Sequence, residues 1–167
     1  MRRVYEGQVF VVEVGPHRFP DGTAHEVAIV RHRPSVVLLP VLDDGRVLLV
    51  RQYRPSVAHH LWELPAGSTD PGEAPEAAAL RECAEETRYL PGRIERLAGL
   101  YPAPGFCDEE LIFFRVSSLT PIGADSPFQP DADEAIDVQP FALDEARAMV
   151  SRGAIVDLKT AWGLTLA

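Results

Sequence analysis

Cysteine is scarce in this chain, and that scarcity sets the first limits. Among 167 residues only Cys83 and Cys107 carry thiols, with no CxxC pair and no Cys/His spacing suited to zinc. A disulfide framework is excluded. No apolar run approaches the ~20 residues of a membrane-spanning helix, and no signal-peptide pattern opens the chain. A cytoplasmic enzyme that does not bind membranes is therefore the expectation. Positive charge is also in deficit, with 16 Lys and Arg against 25 Asp and Glu and a formal net charge of −9. That balance argues against nonspecific binding to nucleic acid or a membrane surface. An anionic small molecule fits it only where cations or a local basic patch mediate the contact.

One stretch dominates what is present. Residues 67–89 read GSTDPGEAPEAAALRECAEETRY. A turn-forming run at 67–72 cannot extend a helix, whereas 73–87 is rich in Ala, Leu, Glu and Arg, all strong helix formers. Pro75 suits the first turn, where its missing N–H is no loss. At about 100° per residue Ala77, Leu80, Ala84 and Thr87 form one stripe, expected to be the buried side. Glu82 and Glu86 then point the other way, with Glu85 beside them. Three carboxylates in five residues repel one another. They can form a solvated helix face, or they can hold a divalent cation, in which case hard oxygen ligands favour Mg²⁺ or Mn²⁺.

Gly67, Glu73, Arg81, Glu82, Cys83, Glu85 and Glu86 stand in the order and spacing G-x5-E-x7-R-E-U-x-E-E-x-G-U, where U is a bulky apolar residue. This stretch resembles the Nudix box of hydrolases that cleave a diphosphate linked to another moiety. Tyr89 is an aromatic at the final U, and the closing glycine is replaced by Arg88. A glycine there normally takes the left-handed conformation past a helix end, and a residue with a Cβ costs of order 1 kcal/mol in that position. The substitution puts the usual helix-exit geometry in question.

The resemblance implies a Mg²⁺-dependent hydrolase, with Mn²⁺ as the alternative ion. Glu82 and Glu86 are the expected direct ligands, joined by the backbone carbonyl of Ala66. Glu85 would complete a second ion or orient a ligand. Gly67, Glu73 and Arg81 are read as structural, because Arg81 lies between Glu73 and Glu85 on the helical wheel and can hold the loop to the helix. The runs VRQYRP at 50–55, LWELPAG at 61–67 and PGFCDE at 104–109 are similar to the ADP-ribose pyrophosphatase branch. In that reading Arg54 forks onto a phosphate. Pro104 and Gly105 present a loop to sugar or phosphate, and Glu109 accepts from ribose hydroxyls. Related enzymes carry a general base in a loop that here falls on 131–134, with Glu134 the first choice, Asp133 the second and Glu85 the fallback. ADP-ribose or a close ADP-sugar would give AMP and ribose 5-phosphate by attack of an activated water. The alternatives are a GDP-sugar, a UDP-sugar, NADH, a flavin dinucleotide, or a sensor that binds without cleaving.

Taken in order, the chain opens with β-branched and aromatic residues at 3–14 and 25–32, read as two strands of a small N-terminal hairpin or sheet. Their apolar content exceeds what a lone hairpin buries, so residues 1–33 are expected to pair subunits of a homodimer and 34–167 to form the catalytic domain. Residues 35–42 read as a buried strand, with Asp43-Asp44-Gly45 a hairpin turn into 46–52. Further strands are expected at 94–101, 111–116 and 136–141, a Pro-rich loop at 117–135, and helices at 143–152 and 157–166. The pattern predicts an α/β/α sandwich around a mixed sheet.

Overall fold

The computed structural model describes residues 1–129 and 136–167, so Asp133 and Glu134 lie outside the described residues. Strands β1 (Arg2–Glu6), β2 (Phe10–Arg18) and β3 (Ala24–His32) open the chain, followed by β4 (Ser35–Pro40), β5 (Val47–Arg54), β6 (His59–Glu63) and β7 (Ala66–Ser68). Then come helix α1 (Pro75–Thr87), β8 (Tyr89–Leu100), β9 (Leu111–Pro121), β10 (Asp137–Phe141), α2 (Leu143–Ser151) and α3 (Leu158–Gly163). This is the expected mixed α/β sandwich.

At its centre a four-stranded mixed sheet runs in the order β7-β4-β9-β8, with β4 and β9 parallel and the other pairs antiparallel. Every residue of β4 is buried. Alternation sends Val36 and Leu38 towards Ala78, Ala79 and Cys83 of α1. Val37 and Leu39 go to the opposite face, against β5, α2 and the C-terminal segment. A second sheet, β10-β5-β6, lies on that opposite side.

Several sequence expectations change here. The strand expected over 3–14 is two strands, broken where the Gly7 N–H donates to Phe10 O at 3.0 Å. Glycine inside a strand weakens it and allows the bend. The Asp43-Asp44-Gly45 turn forms, with Gly45 at φ 82°, and closes as expected, the Leu42 N–H donating to Arg46 O at 2.9 Å. The antiparallel pairing then goes no further than the Val41–Val47 bridge, because β4 already has β7 and β9 as neighbours and the turn passes the chain to the other sheet. Strand β8 begins at Tyr89, ahead of the expected 94, because its register with β9 extends to Tyr89–Pro121. The same pairing draws residues 117–121 out of the expected loop.

Arg88 supplies the abrupt entry to β8. It takes the left-handed conformation (φ 63°, ψ 28°) and its N–H caps the helix on Ala84 O. The guanidinium then bonds Phe128 O and, at 2.8 Å, Gly123 O. The helix exit proper to a glycine is kept, and the side chain ties down the segment after β9.

The N-terminal sheet touches the body narrowly. Val30 N–H donates to Phe106 O at 2.7 Å and Asp108 N–H to Val30 O at 3.1 Å. Arg31 pairs with Asp108 and Glu13. Val4, Tyr5, Val9 and Phe10 stay exposed. Among the described residues no helix is long and apolar enough to cross a membrane.

Candidate active site

Helix α1 buries more of its circumference than its wheel suggested. Ala77 is exposed, and Glu82 and Glu86, expected to face away from the core, are 9% and 5% exposed. The cause is β7, which packs beside the helix. The Ala66 N–H donates to Glu86 Oε2 at 3.1 Å. A Cβ on residue 67 would fall on the Glu82 carboxylate, so only glycine lets that carboxylate approach the strand. The glycine and the glutamate fifteen residues apart are two halves of one contact.

Arg81 organises the acids. Its Nε and Nη2 donate to Glu73 at 3.0 and 2.9 Å, and its Nη1 to Glu82 at 2.7 Å and Glu85 at 3.1 Å. Nη2 also donates to Ser68 O at 3.1 Å. Glu73 in turn accepts from the Asp70 N–H at 2.9 Å, closing the loop before the helix. Hydrogen bonds from Arg81 outweigh partial burial and hold the Glu73 carboxyl below its ordinary range, while Arg81 is raised in return. One guanidinium thus serves three carboxylates, with Glu86 a turn away, and the cluster keeps a formal negative excess.

A second cluster lies on β5, β6 and α3. Glu63 is 2% exposed. Arg54 forks onto it, Nε to Oε1 at 2.8 Å and Nη2 to Oε2 at 2.7 Å. Lys159 bonds the same Oε2, and also Asp157 at 2.9 Å. Asp157 caps α3 through the Thr160 N–H at 3.0 Å, and the Thr160 hydroxyl accepts from the Leu64 N–H at 2.7 Å. Burial pushes the Glu63 carboxyl up, but the Arg54 fork and Lys159 together outweigh it, so the group sits below its ordinary range.

Both clusters open on one cavity of about 460 Å³, lined by Gly67, Glu82 and Glu85 as well as by Arg54 and Lys159. Its size lies within the range of small-ligand sites. Glu109 also lines it and accepts from Ser35 Oγ at 2.7 Å. Pro104 and Gly105 are not part of that lining, and Gly105 sits in open space. Sequence reasoning missed Glu63, Asp157 and Lys159. Their signal was faint, since they lie far from the box and meet only through the β5–β6 pairing and the packing of α3.

The donors suit a hard divalent cation. Among the described residues no three His, Cys, Asp or Glu side chains converge into a ready cage, because Arg81 stands between Glu82 and Glu85. Even so, the buried carboxylates of Glu82 and Glu86, the all-oxygen donor set and the negative excess are what such an ion requires.

Residues 31–158 match the NUDIX domain. The chain is 32% identical over 162 residues to an ADP-ribose pyrophosphatase of Bacillus subtilis (strain 168), covering 97% of this chain and 86% of that one. It is 31% identical over 158 residues to a methanol dehydrogenase activator of Bacillus methanolicus, covering 95% and 84%. A solved structure described as an ADP compounds hydrolase superposes with a TM-score of 0.81 at 22% identity, covering 99% of this chain and 88% of the other, and shares its fold.

Proposed function

The chain belongs to the Nudix family and is a Nudix diphosphatase, and on that premise we propose that it hydrolyses ADP-ribose, or a close ADP-sugar, to AMP and ribose 5-phosphate. The observation that carries the reading is the single cavity into which the acidic cluster of α1 and the cationic pair Arg54 and Lys159 both open. A diphosphate bears charge that the cationic wall can pair directly and the acidic wall only through cations. The nucleoside is assigned from the likeness to the Bacillus subtilis relative.

Glu82 and Glu86, with the Ala66 carbonyl, would hold Mg²⁺ or Mn²⁺, and Glu85 a second ion. A divalent cation there supplies Lewis-acid polarisation of the diphosphate and acidifies water. Glu73 and Arg81 orient the carboxylates through the bonds described above. Arg54 turns its remaining N–H groups to a phosphate while Glu63 fixes its plane. Glu109 meets the ribose hydroxyls, and Pro104 with Gly105, outside the cavity lining, is proposed to present its loop to the sugar or phosphate. Glu134 is the proposed general base, with Asp133 the alternative and Glu85 the third candidate. The N-terminal sheet, with its exposed Tyr5 and Phe10, is proposed to pair two copies in a cytoplasmic homodimer.

A panel of ADP-, GDP- and UDP-sugars, NADH and FAD, assayed with Mg²⁺ by phosphate release after alkaline phosphatase, tests the substrate. ADP-ribose is expected to lead. Binding without phosphate release from any member would identify a sensor instead. Glu134→Gln should lower kcat with little change in KM, and sedimentation as an 18.4 kDa monomer at micromolar concentration would remove the dimer.

A further inference from the structure

The chain uses arginine almost everywhere it needs a cation. Of its 16 basic residues 15 are arginine, and the one lysine is Lys159. That lysine is no surface residue, since its side chain is only 14% exposed and it lines the cavity that Gly67, Glu82 and Arg54 share. It also lines a smaller apolar cavity of about 160 Å³ walled by Tyr101, Phe113 and Trp162. The stem of the side chain therefore has apolar cover while its head lies among charges.

We propose that Lys159 is a second cation that docks the substrate's diphosphate, beside Arg54, an inference that rests on the hydrolytic reading of this cavity. Donor count supports it. An ammonium has three N–H groups, and among the described residues Lys159 Nζ meets two acceptors, Glu63 and Asp157. A guanidinium has five, of which the Arg54 fork onto Glu63 uses two. Each cation keeps donors for a ligand after its structural bonds are made. The four charges of Arg54, Glu63, Lys159 and Asp157 also cancel. Glu63 and Asp157 are not part of the cavity lining, whereas Arg54 and Lys159 are, so the face turned to a ligand is that of the two cations with their spare N–H groups.

The test measures binding of α,β-methylene ADP, which is not hydrolysed, by calorimetry in EDTA for the wild type, Lys159→Met and Lys159→Arg. A charge-assisted hydrogen bond lost corresponds to roughly 10- to 150-fold weaker binding, expected for Lys159→Met, with Lys159→Arg within about threefold of wild type and adenosine bound equally by all three. Lys159→Met binding as wild type with a lowered Tm would overturn the proposal and leave the lysine as a tie between α3 and β6. Should the Met variant not fold, the wild type decides alone. Trinitrobenzenesulfonate labelling of the sole lysine, located by mass spectrometry, should be slowed by α,β-methylene ADP and not by adenosine; labelling at an unchanged rate would overturn the assignment. A wild type that binds methylene-bridged GDP instead of the adenine analogue refutes the adenosine reading, and the same Met-to-wild-type ratio on that analogue then decides Lys159.

Discussion

The Arg81 cluster and the Glu63 cluster face one cavity with opposite stoichiometry. Around Arg81 one cation is divided among three carboxylates, whereas around Glu63 one carboxylate is divided between two cations and Asp157 completes the balance. Breaking a buried charge pair leaves the partner uncompensated, which is why balanced clusters persist as structure. An unbalanced cluster is tolerable when something from outside completes it. On the proposed reading, the comparison teaches that the first cluster receives cations while the second holds its own geometry and offers donors.

The largest effect should come from emptying the unbalanced side. Glu82→Gln and Glu86→Gln are each expected to cut turnover at least about a hundredfold, the scale of losing an electrostatic transition-state group. The fold should survive, because removing one of several repelling carboxylates relieves α1. Near-wild-type turnover in a folded variant of either would sink the metal assignment.

Breaking the balanced side should appear in stability. Glu63→Gln leaves Arg54 and Lys159 without their shared anion, at a cost of about 3 kcal/mol, read by urea denaturation. The pH dependence sharpens this. Because the folded Glu63 carboxyl sits below its ordinary 4.5, its contribution is complete above that value and drains as pH falls through the folded value. The variant should show a flatter acid limb, and an acid limb identical to wild type would refute the role.

A smaller effect belongs to the bridge between the loop and the unbalanced cluster. Glu73→Gln keeps shape but loses the charge on Arg81, for about 1 kcal/mol, or ~2–4 °C in Tm. An unchanged Tm together with weaker metal binding would move Glu73 from support to ligand. The smallest effect is the exposed control. Arg31, with Glu13 and Asp108, is 43% exposed, and Arg31→Gln should cost under about 1 kcal/mol. A larger loss would mean that exposure does not separate these clusters.

Much of α1 was legible in the sequence, because Pro75, the alanines and the glutamates each favour a helix starting and ending where it does. Its orientation was not. A wheel drawn on the assumption that carboxylates face water puts Ala77 inside, and only the presence of β7 explains why Glu82 and Glu86 are buried. The Asp-Asp-Gly turn was readable as a turn, while its partners depended on β4 being flanked on both sides. Arg54 could be singled out from its motif, but Lys159, over a hundred residues later, joins it only through tertiary packing. Its uniqueness as the sole lysine was the one clue available in the chain itself.

The parallel pairing of β4 with β9 has a consequence for how the protein is made. It sets residues 35–40 beside 111–116, with all of β5 to β8 and α1 between them in sequence. Contacts of such separation form slowly, because a long loop must close first. On the ribosome the run SVVLLP emerges early, and β7 offers it three residues of partner before β9 exists. An unpaired apolar strand is what makes nascent chains prone to aggregate. The strand at the centre of the finished fold is thus the segment whose main partner arrives late in synthesis, and overproduction at high temperature should find its weak point there.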